Sequence, residues 1–300
     1  MKKFTAPAML TSALMLSSVL TLSACDNTAT TTSGDTSSSA VASSEDSSMP
    51  SESASESASS SESSSSSVAT VDFPHDPATA LVAGSGQGYT DTSNWAPGIC
   101  FPIAGNVAYA NSQVYSPGGD HYPTAAATNH GIQCDAANYA YPWHDNFCES
   151  RSWSNVLCKS GQGHQGQDIR PPQCKANTYW AVAAEDGVVT QVASYTVAVQ
   201  GNDSPHRIFR YLHMQKSSVK VAVGDHVVRG QKLGLVSNNL GISNGVQQYT
   251  TIHLHFEVRI AQAETMGNGT QLTANTFVPP YTALVDAYSR RLAGDCPTVE

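Results

Sequence analysis

One segment of this chain cannot fold, and it decides where folding can happen. From Asn27 to about Thr70 the sequence is almost entirely Ser, Thr, Ala and Glu, as in SESASESASSSESSSSS over residues 51–67. Such side chains bury too little apolar surface to offset chain entropy, so the segment is expected to stay disordered. Residues 25–70 therefore read as a tether, and a coil of about 45 residues reaches roughly 35–40 Å. The remainder, about residues 72–300, is long enough for a substantial core.

The start of the chain has the build of an export signal. Lys2 and Lys3 precede an apolar run from about Ala6 to Leu22, and Leu22-Ser-Ala-Cys25 supplies small residues at its exit. The run is short and passes at once into polar sequence, which argues against a stable membrane span. Leu-Ser-Ala-Cys resembles the lipobox of bacterial lipoproteins. That resemblance implies a signal peptide over residues 1–24 and a lipidated Cys25 anchoring the chain to a membrane, on the periplasm-facing side of a bacterial envelope.

The formal net charge of -9, with only 15 Lys and Arg, argues against a nucleic-acid partner. Nothing in the sequence fixes an oligomeric state. Beyond Cys25 six cysteines remain: Cys100, Cys134, Cys148, Cys158, Cys174 and Cys296. In an exported chain that even number suggests up to three disulfides, with their pairing left open. No C-x-x-C pair exists to suggest a structural zinc.

Residues 71–160 are rich in turn formers and aromatics, as in YPWHDNFCESRSW from Tyr141 to Trp153, and read as an irregular, disulfide-stapled extension. Its aromatics could stack on sugars, although packing a small core is the plainer role. Gly84-Ser-Gly-Gln-Gly88 lacks the strand, helix and spacing of a phosphate-binding loop and reads as a flexible loop. After Ser160 the texture changes. Short β-branched runs, among them Ala181–Ala184, Gly187–Ser194, His206–Met214, Val219–Val223, His226–Val228 and Lys232–Val236, are punctuated by Gly-Asp and Arg-Gly turns. Residues 161–260 thus read as an all-β domain, an antiparallel sheet or sandwich, followed by a tail over 261–300 in which YTALVDAYSRRL suits a short helix.

Three histidine-bearing stretches carry chemistry. Gly163-His-Gln-Gly-Gln-Asp168 places His164 and Asp168 four apart. In a straight strand they would lie about 13 Å from each other, too far for one ion with bonds near 2 Å. The chain must bend between them, and Gly166 permits it. In TTIHLHFEVR, Thr250 to Arg259, a period of two puts His253 and His255 on one face and turns Leu254 and Phe256 into a core. Arg210-Tyr-Leu-His213-Met adds a histidine at a strand end.

In order, H-x-x-x-D, Y-x-H, V-x-x-G-D-x-V-x-x-G-Q-x-x-G and H-x-H-F-E-V resemble the lysostaphin-type zinc metallopeptidases, which cleave peptide bonds in bacterial peptidoglycan. The resemblance spans about Gly161 to Val258. It implies one catalytic Zn2+ held by His164, Asp168 and His255, with His213 and His253 as the catalytic pair and peptidoglycan as the substrate. Three N/O ligands leave the fourth position of a tetrahedral zinc open, as a catalytic site requires. Glu257 follows the last motif without a role to transfer.

Two departures stand out. Asn244 to Ile252 replaces the family's Gly-Pro approach to H-x-H, which bears on the shape of the groove. Cys158 and Cys174 flank His164 and Asp168, so a disulfide is expected to staple the metal loop. A relative that has lost catalysis and serves as an envelope scaffold or activator is the alternative, but in such relatives ligand residues are usually missing, and here all five positions are filled. Val223 to Gly234 also resembles biotinyl or lipoyl carriers, except that Lys232 falls in an apolar run. The other histidines, His75, His121, His130, His144, His206 and His226, read as surface or packing residues, with His121 or His144 placed to approach the cleft if the extension covers it as a lid.

Overall fold

The computed structural model describes residues 69–105, 107–115 and 133–300. The signal segment, most of the tether, Cys25, His121 and His130 lie outside them. In chain order the strands are β1 (Tyr109–Ala110), β2 (Gln167–Arg170), β3 (Trp180–Val182), β4 (Gly187–Val192), β5 (Val197–Gly201), β6 (Ile208–Leu212) and β7 (His226–Val227). They continue as β8 (Lys232–Leu235), β9 (Asn239–Ser243), β10 (Val246–Tyr249), β11 (Leu254–Arg259), β12 (Glu264–Thr265), β13 (Gln271–Leu272) and β14 (Phe277–Val278). Helix α1 covers Tyr281–Leu292, the stretch read as helical from sequence.

The main sheet runs β1-β2-β11-β6-β5-β4-β7, with β14 also on β11, and its pairings are antiparallel. Central β11 explains the alternation in its sequence. Leu254, Phe256 and Val258 are fully buried in the core, while His255 and Glu257 are buried on the opposite face. The remaining strands form three antiparallel pairs, β3–β8, β9–β10 and β12–β13.

The core draws on residues well before and after the motifs. Ile99, Phe101, Ile103, Ala108 and Trp143 share one apolar cluster with Phe209, Tyr211, Phe256 and Val258, and with Tyr281, Leu284 and Tyr288 of α1. Trp143 packs on Tyr288 with ring centroids 4.4 Å apart. Disulfides join Cys100 to Cys296, Cys134 to Cys174 and Cys148 to Cys158.

Several expectations need correction. Cys158 and Cys174 do not pair with each other. Each bonds an upstream cysteine, and Cys148–Cys158 is the bridge beside the metal loop: the Cys148 N–H donates to the His164 carbonyl at 3.0 Å. Val219–Val223 is not a strand. The Asp225 carboxylate accepts from the Ala222 N–H and Gly224 takes a φ of +94°, so turn chemistry overrides β propensity there. The loop around Gly86 is packed rather than open, because a Cβ on Gly86 would meet the Cys148 carbonyl at 2.9 Å. The reading of Lys232 as part of an apolar strand holds: it lies in β8 and bonds Glu300, not on a hairpin tip where a carrier lysine would sit. Within Asn244–Ile252, Asn244 and Gly245 make the turn and Val246–Tyr249 the second strand of the β9–β10 hairpin.

Candidate metal centre

The site is assembled by the register of three strands. His255 on β11 lies directly opposite Asp168 on β2 and, on its other side, opposite Leu212, the residue before His213. Side chains paired across antiparallel strands have Cβ atoms about 5 Å apart, which lets both reach one ion. His164 arrives from the turn before β2. The chain bends at Gly166, but φ there is not left-handed. The glycine is needed for closeness instead: a Cβ would lie 2.3 Å from the Phe256 carbonyl oxygen and 3.1 Å from His255 Nε2.

His164 Nε2, Asp168 Oδ1 and His255 Nδ1 converge. The separations are 3.2 Å from His164 to Asp168, 3.0 Å from His164 to His255 and 2.9 Å from His255 to Asp168. A tetrahedron with bonds of about 2.0–2.1 Å has edges of roughly 3.3 Å. The three atoms therefore form one face of a zinc-sized tetrahedron, among residues that are all buried.

The outer nitrogens fix the tautomers. His164 Nδ1 faces the Asn146 carbonyl at 2.9 Å, which can only accept, so Nδ1 carries the proton and Nε2 offers a lone pair inward. His255 Nε2 donates to Glu257 Oε1 at 3.2 Å and turns Nδ1 inward. Three acceptor atoms then point at one another. A cation relieves that opposition, and the N, O, N donor set suits zinc. Without a cation a second proton on His255 relieves it. Burial alone would lower the His255 pKa, yet its hydrogen bonds to Asp168 and Glu257 raise it to about 9.

Burial likewise pushes His164 down to about 4, against the pull of Asp168. Burial would raise Asp168, but the imidazoles of His164 and His253 hold its carboxyl well below the usual range. Glu257 is also buried, and His255, Arg259 and Arg210 overcome the desolvation to hold it at about 2.

His213 and His253 stand beside this group. Their rings are 4.6 Å apart, and His213 lies 6.0 Å from His255. His213 Nδ1 donates to the Asn239 carbonyl and His253 Nδ1 to the Thr251 carbonyl, each at 2.9 Å, leaving Nε2 as the nitrogen that can take or give a proton. His253 Nε2 is 3.3 Å from Asp168 Oδ1. His213 has a φ of 68°, a strained conformation for a non-glycine residue of the kind that clusters at functional sites. Burial and the neighbouring His253 and His255 push its pKa well below the ordinary value, so it is neutral.

A cleft of about 590 Å³ opens onto His213 and His255, walled by Trp153, Gln165, Tyr195 and Leu240. All five residues singled out from sequence thus meet at one place. His144 does not join them and bonds Asp76 at 2.8 Å.

Residues 162–270 match Peptidase family M23. The chain carries an M23 peptidase domain. No curated protein matches the chain. Among solved structures it is similar to a glycyl-glycine endopeptidase, LytM, from Ruminococcus gnavus, at 24% identity over 43% of this chain and 47% of that one, with a TM-score of 0.32. It is also similar to the catalytic domain of lysostaphin from Staphylococcus simulans, at 20% identity over 43% of this chain and 89% of that one, with a TM-score of 0.28. A zinc-containing peptidase from Vibrio cholerae is similar at 27% identity, covering 39% and 29%, with a TM-score of 0.25. The chain thus spans about half of the first and under a third of the third.

Sequence reading gave no role to Glu257 or Asn146. Glu257 bonds His255 with one oxygen and Arg210 and Arg259 with the other, so it orients an inward imidazole. Its position two residues past His255, on the same face of the M23 domain's central strand, was the available signal.

Proposed function

We propose that the protein is a zinc-dependent endopeptidase that hydrolyses peptide bonds in bacterial peptidoglycan, with His164, Asp168 and His255 holding the metal. One observation carries this reading: three lone-pair atoms 2.9–3.2 Å apart on one tetrahedral face, with two further imidazoles alongside. When bound, zinc acidifies a water molecule and polarises a carbonyl. His213, neutral and bordering the cleft, accepts the proton at Nε2. The same nitrogen hands that proton on to the departing amine, which restores His213, while His253, its ring 4.6 Å from that of His213, stands beside the reacting centre to orient it. The cleft, lined by Trp153, Gln165, Tyr195 and Leu240 beside His213 and His255, suits a peptide.

The same proposal places the enzyme in the bacterial envelope, exported and lipid-anchored through Cys25, with the Ser-rich segment as its tether. Three disulfides among the described residues fit an oxidising compartment. The test is mass analysis of purified peptidoglycan after incubation with zinc-loaded protein, beside His255→Ala. New peptide fragments from wild type alone support the reading, and identical products from both defeat it.

A further inference from the structure

Asn146 belongs to the Tyr141–Trp153 stretch, upstream of the segment that matches the peptidase family. It is 1% exposed. Its side-chain Nδ2 donates to Asp168 Oδ2 at 3.2 Å and to the Asn111 carbonyl at 3.3 Å, while its Oδ1 accepts the Asp168 backbone N–H at 3.2 Å. Its own carbonyl accepts the His164 Nδ1–H at 2.9 Å, and its N–H donates to Gln167 Oε1 at 3.2 Å. The amide orientation is not a free choice: a backbone N–H can only donate, so it must face Oδ1, and Nδ2 then meets the carboxylate.

We propose that Asn146 is a positioning residue of the metal centre, setting the Asp168 carboxylate and the His164 tautomer together and so making the upstream stretch part of the site. This rests on the metal reading above. Two of the three inward atoms owe their direction to this residue. Asp168 Oδ2 is occupied by the amide, which leaves Oδ1 to face the imidazoles. His164 Nδ1 is occupied by the carbonyl, which leaves Nε2 to face Asp168. Outer partners of this kind are worth about 10–100-fold in metal affinity when removed. Nearby hydrogen bonds hold the stretch in place: the Cys148 N–H reaches the His164 carbonyl, and the His164 N–H reaches the Glu149 carbonyl at 2.9 Å.

The experiment measures zinc affinity of the full chain by competition with a chromogenic chelator, well below the melting temperature, together with the melting temperature of the metal-free protein. Asn146→Ala is expected to bind zinc about 10–100-fold more weakly than wild type while the folded protein keeps its near-UV circular dichroism. Asn146→Asp keeps the shape and the Oδ1 acceptor but sets a carboxylate oxygen against Asp168, and is expected to weaken binding as well. It also decides the matter if the alanine variant does not fold. A lowered metal-free melting temperature with unchanged zinc affinity would mean a purely structural role and overturns the proposal. Wild type that binds no zinc sinks the metal reading, and this proposal with it.

Discussion

His255 is gripped at both ring nitrogens, by Glu257 outside and by the Asp168–His164 group inside. The roles assigned to the five residues separate in measurement. Alanine at His164, Asp168 or His255 is expected to remove stoichiometric zinc. Alanine at His213 or His253 should leave zinc bound while kcat falls by about 10²–10⁴-fold. Loss of zinc from the His213 variant would reverse the division of labour. These five residues were legible because the order of their motifs resembles the metallopeptidase pattern, with the period of two at His253 and His255 in support. The bonding of Glu257 and the clamp from Asn146 were not, since they depend on how distant segments register in space. Asp145 gives a pH prediction. Burial raises its carboxyl to about 6 from 3.8, against the backbone hydrogen bonds it accepts. Its folded pKa lies above the unfolded one, so the native state binds more protons and this group's contribution falls as pH rises through that window. Asp145→Asn should therefore gain up to about 3 kcal/mol on wild type between pH 4 and pH 7.5, read as a growing difference in melting temperature. A constant difference would contradict it.

Strand β11 and its neighbours act through contact distance. Gly166→Ala would drive a methyl into the Phe256 carbonyl, a backbone atom that can move only by parting β2 from β11. The expected cost is about 1–3 kcal/mol in stability, with a tenfold or greater loss of zinc affinity as Asp168 shifts away from His255. The Cys148–Cys158 bridge closes a loop of sequence separation 10. Replacing both with serine should lower stability by about 2–3 kcal/mol and weaken zinc binding through His164. Unchanged affinity after a clear drop in melting temperature would confine the bridge to stability. At this scale β11, β6 and α1 were readable from period and composition. The run at Val219–Val223 misled because Gly224 and Asp225 make a turn that β propensity does not register, and the disulfides were opaque because six cysteines allow about 15 pairings.

Across the whole molecule, residues from both ends of the described chain meet in one core, and Cys100–Cys296 ties them covalently. The antiparallel all-β character was legible in the short, turn-punctuated runs. The contribution of Ile99 to Trp143 to that core was not, because those residues lack a period. If the Ser-rich segment only gives reach, deleting residues 27–68 should leave kcat/KM on soluble peptidoglycan fragments within about twofold of wild type, since reach of roughly 35–40 Å matters only on an insoluble wall. Titrating metal-free protein with zinc while counting new amino groups released from purified peptidoglycan separates a zinc peptidase from a scaffold. A zinc peptidase gives a rise that saturates at one zinc per chain and no release by the His255→Ala variant. Release that ignores zinc, or that persists in that variant, would contradict that reading.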